Sequence, residues 1–199
     1  MIFSSISFIV FFSVVLLGVC LLKGKENKQK FLLLVSYVFY GWGDYRFCFL
    51  MLALTAVSYV TAIKIERNRH TSVKAKRFLR LGIVFPLVIL GFFKYFNFFV
   101  DTFISVFDIS SFHALQIILP VGISFYTFQS MSYTIDVYRG KLRATDSFLK
   151  LALYISFFPQ LVAGPIVRAI DFLPQLENCL LYTSPSPRDP KTYRMPSSA

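Results

Sequence analysis

The feature that most constrains this chain is the segregation of its charge. Fifteen of its 21 Lys and Arg residues fall in three blocks, at 23–30, 64–80 and 139–150, with long apolar runs between them. A helix needs roughly 20 apolar residues to cross a hydrocarbon core of about 30 Å. The candidate membrane segments are 2–22, 31–42, 47–63, 81–99, 117–137 and 151–167. Only 16% of the 199 residues are charged, against about 25% in ordinary soluble domains, and 56% are apolar. These features predict an all-α fold, a polytopic transmembrane helical bundle of about five to seven segments, some of them short or re-entrant.

Short loops rich in Lys and Arg stay on the cytoplasmic side of a membrane. All three basic blocks are therefore expected in the cytoplasm, with the N-terminus outside, in a multi-pass cell-membrane protein. Charge follows the first apolar run instead of preceding it, which favours a retained helix over a cleaved signal. Residues 31–63 are expected to give two short crossings or one re-entrant hairpin, because 31–42 reaches only roughly 18 Å as a helix. Residues 81–138 give two crossings, kinked at Pro86, with a mixed outer loop at 101–116 that carries Asp101 and Asp108. The net charge of +11 is read as this topology signal. A nucleic-acid surface is not expected, because the cations flank spans and form no continuous face. Affinity for the lipid bilayer and its anionic headgroups needs no special site.

Two segments carry unusual chemistry. In 117–137, residues Gln129, Ser132, Tyr133 and Asp136 recur at helical spacing and share one face. Hydrocarbon offers these groups no hydrogen bonds, so the face should meet protein or a wet cavity. Helix–helix hydrogen bonding and cavity lining both fit, and Asp136 could instead pair with Arg139 at the helix end. In 151–167, Pro159 and Pro165 flank Gly164. Pro159 disfavours helix at Phe158 and Pro165 does so at Gly164. A broken re-entrant helix and a plain kink or interfacial loop both fit. Lys94, set among aromatics, is expected to snorkel, and the aromatics from Phe3 to Phe12 are expected to face lipid.

Several chemistries find no support. Cys20, Cys48 and Cys179 are scattered, without a CxxC pair, so neither a metal site nor a disulfide framework is expected. No GxGxxG, phosphate loop, HExxH or GxSxG motif is present. His70 and His113 lie in loops. From Thr183 onward the chain turns polar and proline-rich, and the stretch from Cys179 to Asp189 is similar to translated sequencing adapter, with the join near Glu177 to Cys179. Residues 177–199 are therefore expected to be a non-native or disordered tail behind a membrane domain at 1–176.

Three separated stretches, LPVGISFYTFQ at 119–129, YTIDVYRG at 133–140 and FFPQLVAGPIVR at 157–168, resemble the membrane-bound O-acyltransferase family in its alginate and peptidoglycan O-acetylation branch. Tyr40-Gly41-Trp42 followed by Tyr45 is similar to an earlier family feature. The resemblance implies a membrane enzyme with a tunnel through the bilayer. It implies transfer of an acetyl or other acyl group from a cytoplasmic cosubstrate, such as acetyl-CoA or an acyl carrier, to hydroxyls of an extracellular polysaccharide. It implies an acetylation partner protein and no bound cofactor. Gln129, Tyr133, Asp136, Gln160, Gly164 and Pro165 would line the tunnel or donor site. The family's hallmark is a histidine in a later membrane helix, suited to take and return a hydroxyl proton. His70 and His113 do not match it, so no catalytic residue is carried over and this fragment is expected to be inactive. Two other classes stay open on the sequence. One is half of a transporter or flippase, which predicts an internal repeat in the full gene; the other is a non-enzymatic membrane scaffold.

Overall fold

The computed structural model describes residues 6–69, 71–107, 118–164 and 167–178. Among them the chain is helical: α1 (Ile6–Leu21), α2 (Lys25–Gly41), α3 (Arg46–Arg67), α4 (Ser72–Phe107), α5 (Ile123–Tyr138), α6 (Phe148–Ser156), α7 (Phe158–Ala163) and α8 (Ala169–Asn178). His70, Asp108, His113 and Pro165 lie outside the described residues, as does the tail from 179. Helix α8 runs two residues past the expected limit at 176.

Glycines mark three of the corners. Gly24, Gly122 and Gly140 have φ of 91°, 73° and 72°, a region in which other residues are strained. Two segments differ from expectation. The first basic block is largely helical, because Lys25 to Lys30 contains good helix formers and the Lys30–Glu26 ion pair at 4.0 Å spans one turn. Helix α2 therefore has 17 residues, and with the 22-residue α3 it forms two separate helices across 31–63. Helix α4 is 36 residues long and continues through Pro86 to Phe107, so Asp101 is helical and not part of a loop. No glycine or proline lies between Phe92 and Phe107 to stop it.

Helices α3, α4 and α5 form the centre, with Met51, Leu54, Ile65, Tyr126 and Tyr133 in the core. Gly82 lets α4 approach closely. A Cβ there would stand 2.7 Å from Thr134 Cγ2 and 3.0 Å from Thr61 Oγ1. Small residues at helix crossings serve this role in membrane bundles. The hydroxyls at the crossing mostly bond back along their own helices: Thr55 to the Met51 carbonyl at 2.8 Å, Ser58 to Leu54 at 2.9 Å and Thr134 to Ser130 at 3.1 Å. They satisfy themselves and add little bulk. A second cluster joins α1, α2 and α7. Phe11 packs near Phe39 and Phe158 with ring centroids 5.5 Å apart in each case, so part of the first aromatic run faces protein.

The outer surface is apolar. Val84, Val88, Phe92, Phe98, Phe99 and Phe103 are exposed along α4. Two helices, Arg46–Arg67 and the α4 helix, are long and apolar enough to cross a membrane, and α1 and the α6–α7 segment are shorter apolar helices. Such a surface suits a membrane protein. Lys94 is exposed, with Nζ 5.6 Å from the Tyr95 ring centroid.

The three basic blocks meet at one end of the bundle. Gln29, at the start of α2, donates to the Leu176 carbonyl at 2.9 Å. Leu173 and Pro174 of α8 line a cleft of about 570 Å³ with Glu66 and Arg143. A Cβ on Gly140 would collide with the Arg69 guanidinium, and Lys64 sits over the Phe78 ring at 5.1 Å.

Candidate functional site: a doubled-back segment between two clefts

The segment from α6 to α8 starts and finishes at the basic end. Its first ring, Phe148, packs edge-on against Tyr59 at 5.5 Å. Its tip, Leu161, reaches the opposite end of α5, where a Cβ on Gly122 would lie 3.5 Å from the Leu161 carbonyl oxygen. It then returns, and Arg168 lies beside Asp136 and Arg139 near the C-terminal end of α5. The Tyr154 hydroxyl fastens the two limbs by donating to the Val167 carbonyl at 3.0 Å. The helix is broken at Phe157, as the discontinuous-helix reading expects.

Proline chemistry explains the break. Pro159 has no N–H and its ring cannot follow a helical turn, so the chain leaves the helix just before it. The departure falls at Phe157 (ψ 105°), one residue earlier than expected, and Pro159 sits in the first turn of α7, where a missing N–H costs nothing. This break strips the Tyr154 carbonyl and the Phe158 N–H of partners within a continuous helix. Neighbouring helices supply substitutes. Gln129 Nε2 of α5 donates to the Tyr154 carbonyl at 2.9 Å, and Ser36 Oγ of α2 accepts from the Phe158 N–H at 3.4 Å. All four residues are buried. Broken backbone at membrane depth survives only where protein or water satisfies it. Gly164 then turns into extended backbone (φ −90°, ψ 154°); a Cβ there would stand 2.9 Å from Gln160 Cα, so the close turn requires glycine.

The expected site residues separate by role. Gln129 is fully buried and makes the bond just described. Tyr133, also fully buried, accepts at its hydroxyl from the Thr145 N–H at 3.0 Å. It is joined by the Glu66 carboxylate, which accepts from the Ala144 N–H, and by the Tyr59 hydroxyl, which donates to the Asp146 carbonyl at 2.8 Å. Three side chains thus hold the basic loop after α5, and Tyr133 is one of its anchors. Gln160 is buried on α7 and Gly164 is half-buried, while Pro165 is outside the described residues.

Asp136 is 7% exposed and lines a cleft of about 240 Å³. Phe128, Met131 and Ile135 form the apolar side; Ser132, Arg139, Lys141 and Arg168 form the polar side. Asp136 Oδ2 is buried without a hydrogen-bond partner. The alternative of an Asp136–Arg139 ion pair is not realised among the described residues, where Arg139 stands exposed at the helix end. At the other end of α5 lies a second cleft, of about 230 Å³, bounded by Tyr40, Asp44, Phe47, Leu119 and Leu161. Tyr40 closes one side by donating to the Val121 carbonyl at 3.0 Å. Asp44 Oδ1 accepts from the Arg46 N–H at 2.9 Å and so fixes the turn into α3. No group of three or more His, Cys, Asp or Glu side chains suited to a metal occurs among the described residues.

Tyr154, Ser36 and Glu66 had no role assigned from sequence. The signal for Tyr154 was available, since a break ahead of Pro159 must free carbonyls about four residues upstream. Glu66 was the single acid among seven cations in its block. Nothing in the sequence pointed to Ser36.

No family model matches the chain, and no solved structure matches it significantly. Curated relatives do. It is 41% identical over 181 residues to a protein named probable alginate O-acetylase AlgI from Pseudomonas aeruginosa, covering 89% of this chain and 35% of the relative. It is 40% identical over 181 residues to the protein of that name from Azotobacter vinelandii, covering 89% of this chain and 36% of the relative. A peptidoglycan O-acetyltransferase from Helicobacter pylori is 33% identical over 171 residues, covering 74% of this chain and 32% of the relative. The chain spans about a third of the length of these relatives. Over that third, the chain is similar in sequence to proteins named alginate O-acetylase and peptidoglycan O-acetyltransferase, the branch that its three motifs resemble.

Proposed function

We propose that this chain is part of an O-acyltransferase that moves acetyl groups to hydroxyls of a polysaccharide outside the membrane, such as alginate or peptidoglycan. The supporting observation is the doubled-back segment between two clefts at opposite ends of α5. A transfer across a bilayer needs a donor entry on one side, an acceptor entry on the other and a thinned path between them. The basic end, facing the cytoplasm by the distribution of Lys and Arg, is the donor side and takes acetyl-CoA or an acyl carrier. The end bounded by Tyr40, Asp44 and Leu161 is the acceptor side, where a partner acetylation protein would present or receive the sugar. Gln129, Gln160 and Gly164 shape the path by holding the break open, and Asp136 belongs to the donor side. A histidine in a later membrane helix, as the family resemblance implies, would take and return the hydroxyl proton.

The test is to express the uninterrupted gene in cells whose polysaccharide lacks O-acetyl groups and to measure acetate released by mild base. Acetate bound to the polysaccharide, lost when the later histidine is replaced by alanine, is the expected result. Export of a solute without ester formation would overturn the reading in favour of a transporter.

A further inference from the structure

We propose that the turn between α2 and α3 holds the sugar: Trp42 and Tyr45 stack on the apolar faces of a pyranose chain, and Asp44 accepts hydrogen bonds from the free hydroxyls of one ring in the adjoining cleft. This deepens the acceptor side assigned above and rests on that reading. Helix α2 starts at the basic end, where Gln29 reaches Leu176, so its last turn lies at the opposite end. Two large rings stand out there. Trp42 is 68% exposed and Tyr45 66% exposed. The two residues between them, Gly43 and Asp44, line the cleft with Tyr40 and Leu161. Rings that only anchored the chain at a lipid interface would need neither a carboxylate nor a cleft between them.

The turn is fixed by its own backbone. The Trp42 N–H donates to the Val38 carbonyl at 3.0 Å, the Gly43 N–H to the Tyr40 carbonyl at 3.2 Å, and Asp44 Oδ1 accepts from the Arg46 N–H at 2.9 Å. A preformed platform loses little conformational freedom when it binds. The Arg46 side chain interacts with Tyr45 and Asp44, so the turn carries one cation and one anion and suits a neutral amino sugar and a uronate alike. The shared chemistry is a pyranose with free hydroxyls. The cleft of about 230 Å³ is smaller than the roughly 300–1,000 Å³ of pockets for drug-sized ligands. It fits a single ring, with the neighbouring rings of the chain lying across Trp42 and Tyr45. A carboxylate only accepts hydrogen bonds, and a hydroxyl that has been acetylated has no proton to donate. The turn therefore holds the free sugar and releases the ester.

Trp42 is the single tryptophan of the chain, so its fluorescence reports on the turn directly. The chain in lipid nanodiscs is titrated with a mannuronate tetramer, with chitotetraose and with the O-acetylated form of each. The free oligomers should shift the Trp42 emission saturably and protect it from iodide, and the tighter of the two identifies the polysaccharide. The acetylated forms should bind about tenfold more weakly, the effect of one hydrogen bond to a charged group. Tyr45→Ala should weaken binding of the free oligomers about fivefold through the lost ring contact. Asp44→Asn, which keeps an oxygen for the Arg46 N–H, should erase the discrimination between free and acetylated oligomers. Circular dichroism of both variants checks the fold. The absence of a saturable response to either free oligomer would overturn the proposal, and quenching of Trp42 by brominated lipid in that case would assign the rings to the membrane interface. Equal binding of free and acetylated oligomers by the wild type, or discrimination unchanged in Asp44→Asn, would also overturn it. Base-released acetate from cells expressing the uninterrupted gene separates the two failures: ester formed without saccharide binding at Trp42 overturns this site alone, and its absence overturns the acyltransferase reading beneath it.

Discussion

Replacing Gln129 with methionine probes the helix break directly. Methionine keeps the length of the side chain and removes the donor that the Tyr154 carbonyl depends on at 2.9 Å. That carbonyl has no helical partner, because the chain leaves α6 at Phe157. An orphaned buried carbonyl costs about 1–3 kcal/mol in proteins generally, and interhelical hydrogen bonds in membrane proteins average about 0.6 with a maximum near 1.7 kcal/mol. Part of the cost is offset, because Gln129 Oε1 is itself buried without a partner and disappears with the substitution. The net expectation is about 1 kcal/mol, roughly fivefold in the local opening equilibrium. Hydrogen exchange by mass spectrometry, in detergent, reads it on peptides covering 157–161 and, as control, 51–62 of α3. Exchange should rise about fivefold in the first set and stay unchanged in the second. Gln129→Glu should do more, since an ionised carboxylate only accepts and would face another acceptor. Wild-type exchange rates in Gln129→Met, or an even increase through α3, would refute the argument that this side chain supports the break.

Three further outcomes follow from the packing. Gly82→Ala should lower the thermal midpoint of the detergent-solubilised chain, at a cost of about 1–3 kcal/mol, because the new methyl meets Thr134 Cγ2 at 2.7 Å; Thr134→Ser, which removes that methyl, should recover part of the loss. Tyr133→Phe should speed amide exchange at Thr145 severalfold and leave α3 unchanged, since it removes the acceptor 3.0 Å from that N–H. Gly140→Ala should destabilise the loop after α5 by about 1–2 kcal/mol, because φ is 72° and the added Cβ would collide with Arg69; limited proteolysis between 139 and 150 would report it.

The polar face of α5 was legible because helical spacing alone aligns Gln129, Tyr133 and Asp136, and all three are buried. The break was legible because two prolines and a glycine cannot share one regular span. Other properties depended on partners that a linear reading does not supply. Tyr133 reads as a lining residue until Thr145 is seen to fold back onto its hydroxyl. The serines and threonines of α3 and α5 suggest bonds between helices, whereas Thr55, Ser58 and Thr134 bond within their own. Helix ends were misjudged where charge was taken for a loop. Lys25 to Lys30 and Lys74 to Arg80 are helical, because lysine and arginine are good helix formers. The doubling back of the last segment could not be read from its length, which suits a span as well as a hairpin.

That doubling back is the central claim, and sided cysteine labelling tests it most directly. In a background with Cys20, Cys48 and Cys179 replaced by serine, single cysteines at Asp146 and Gln175 bracket the segment, and one at Lys74 marks the basic end. The account predicts that a membrane-impermeant maleimide leaves all three unlabelled in intact cells and labels all three in inverted vesicles. Labelling of Gln175→Cys from outside, with Asp146→Cys and Lys74→Cys protected, would show that residues 148–178 cross the membrane and would contradict it.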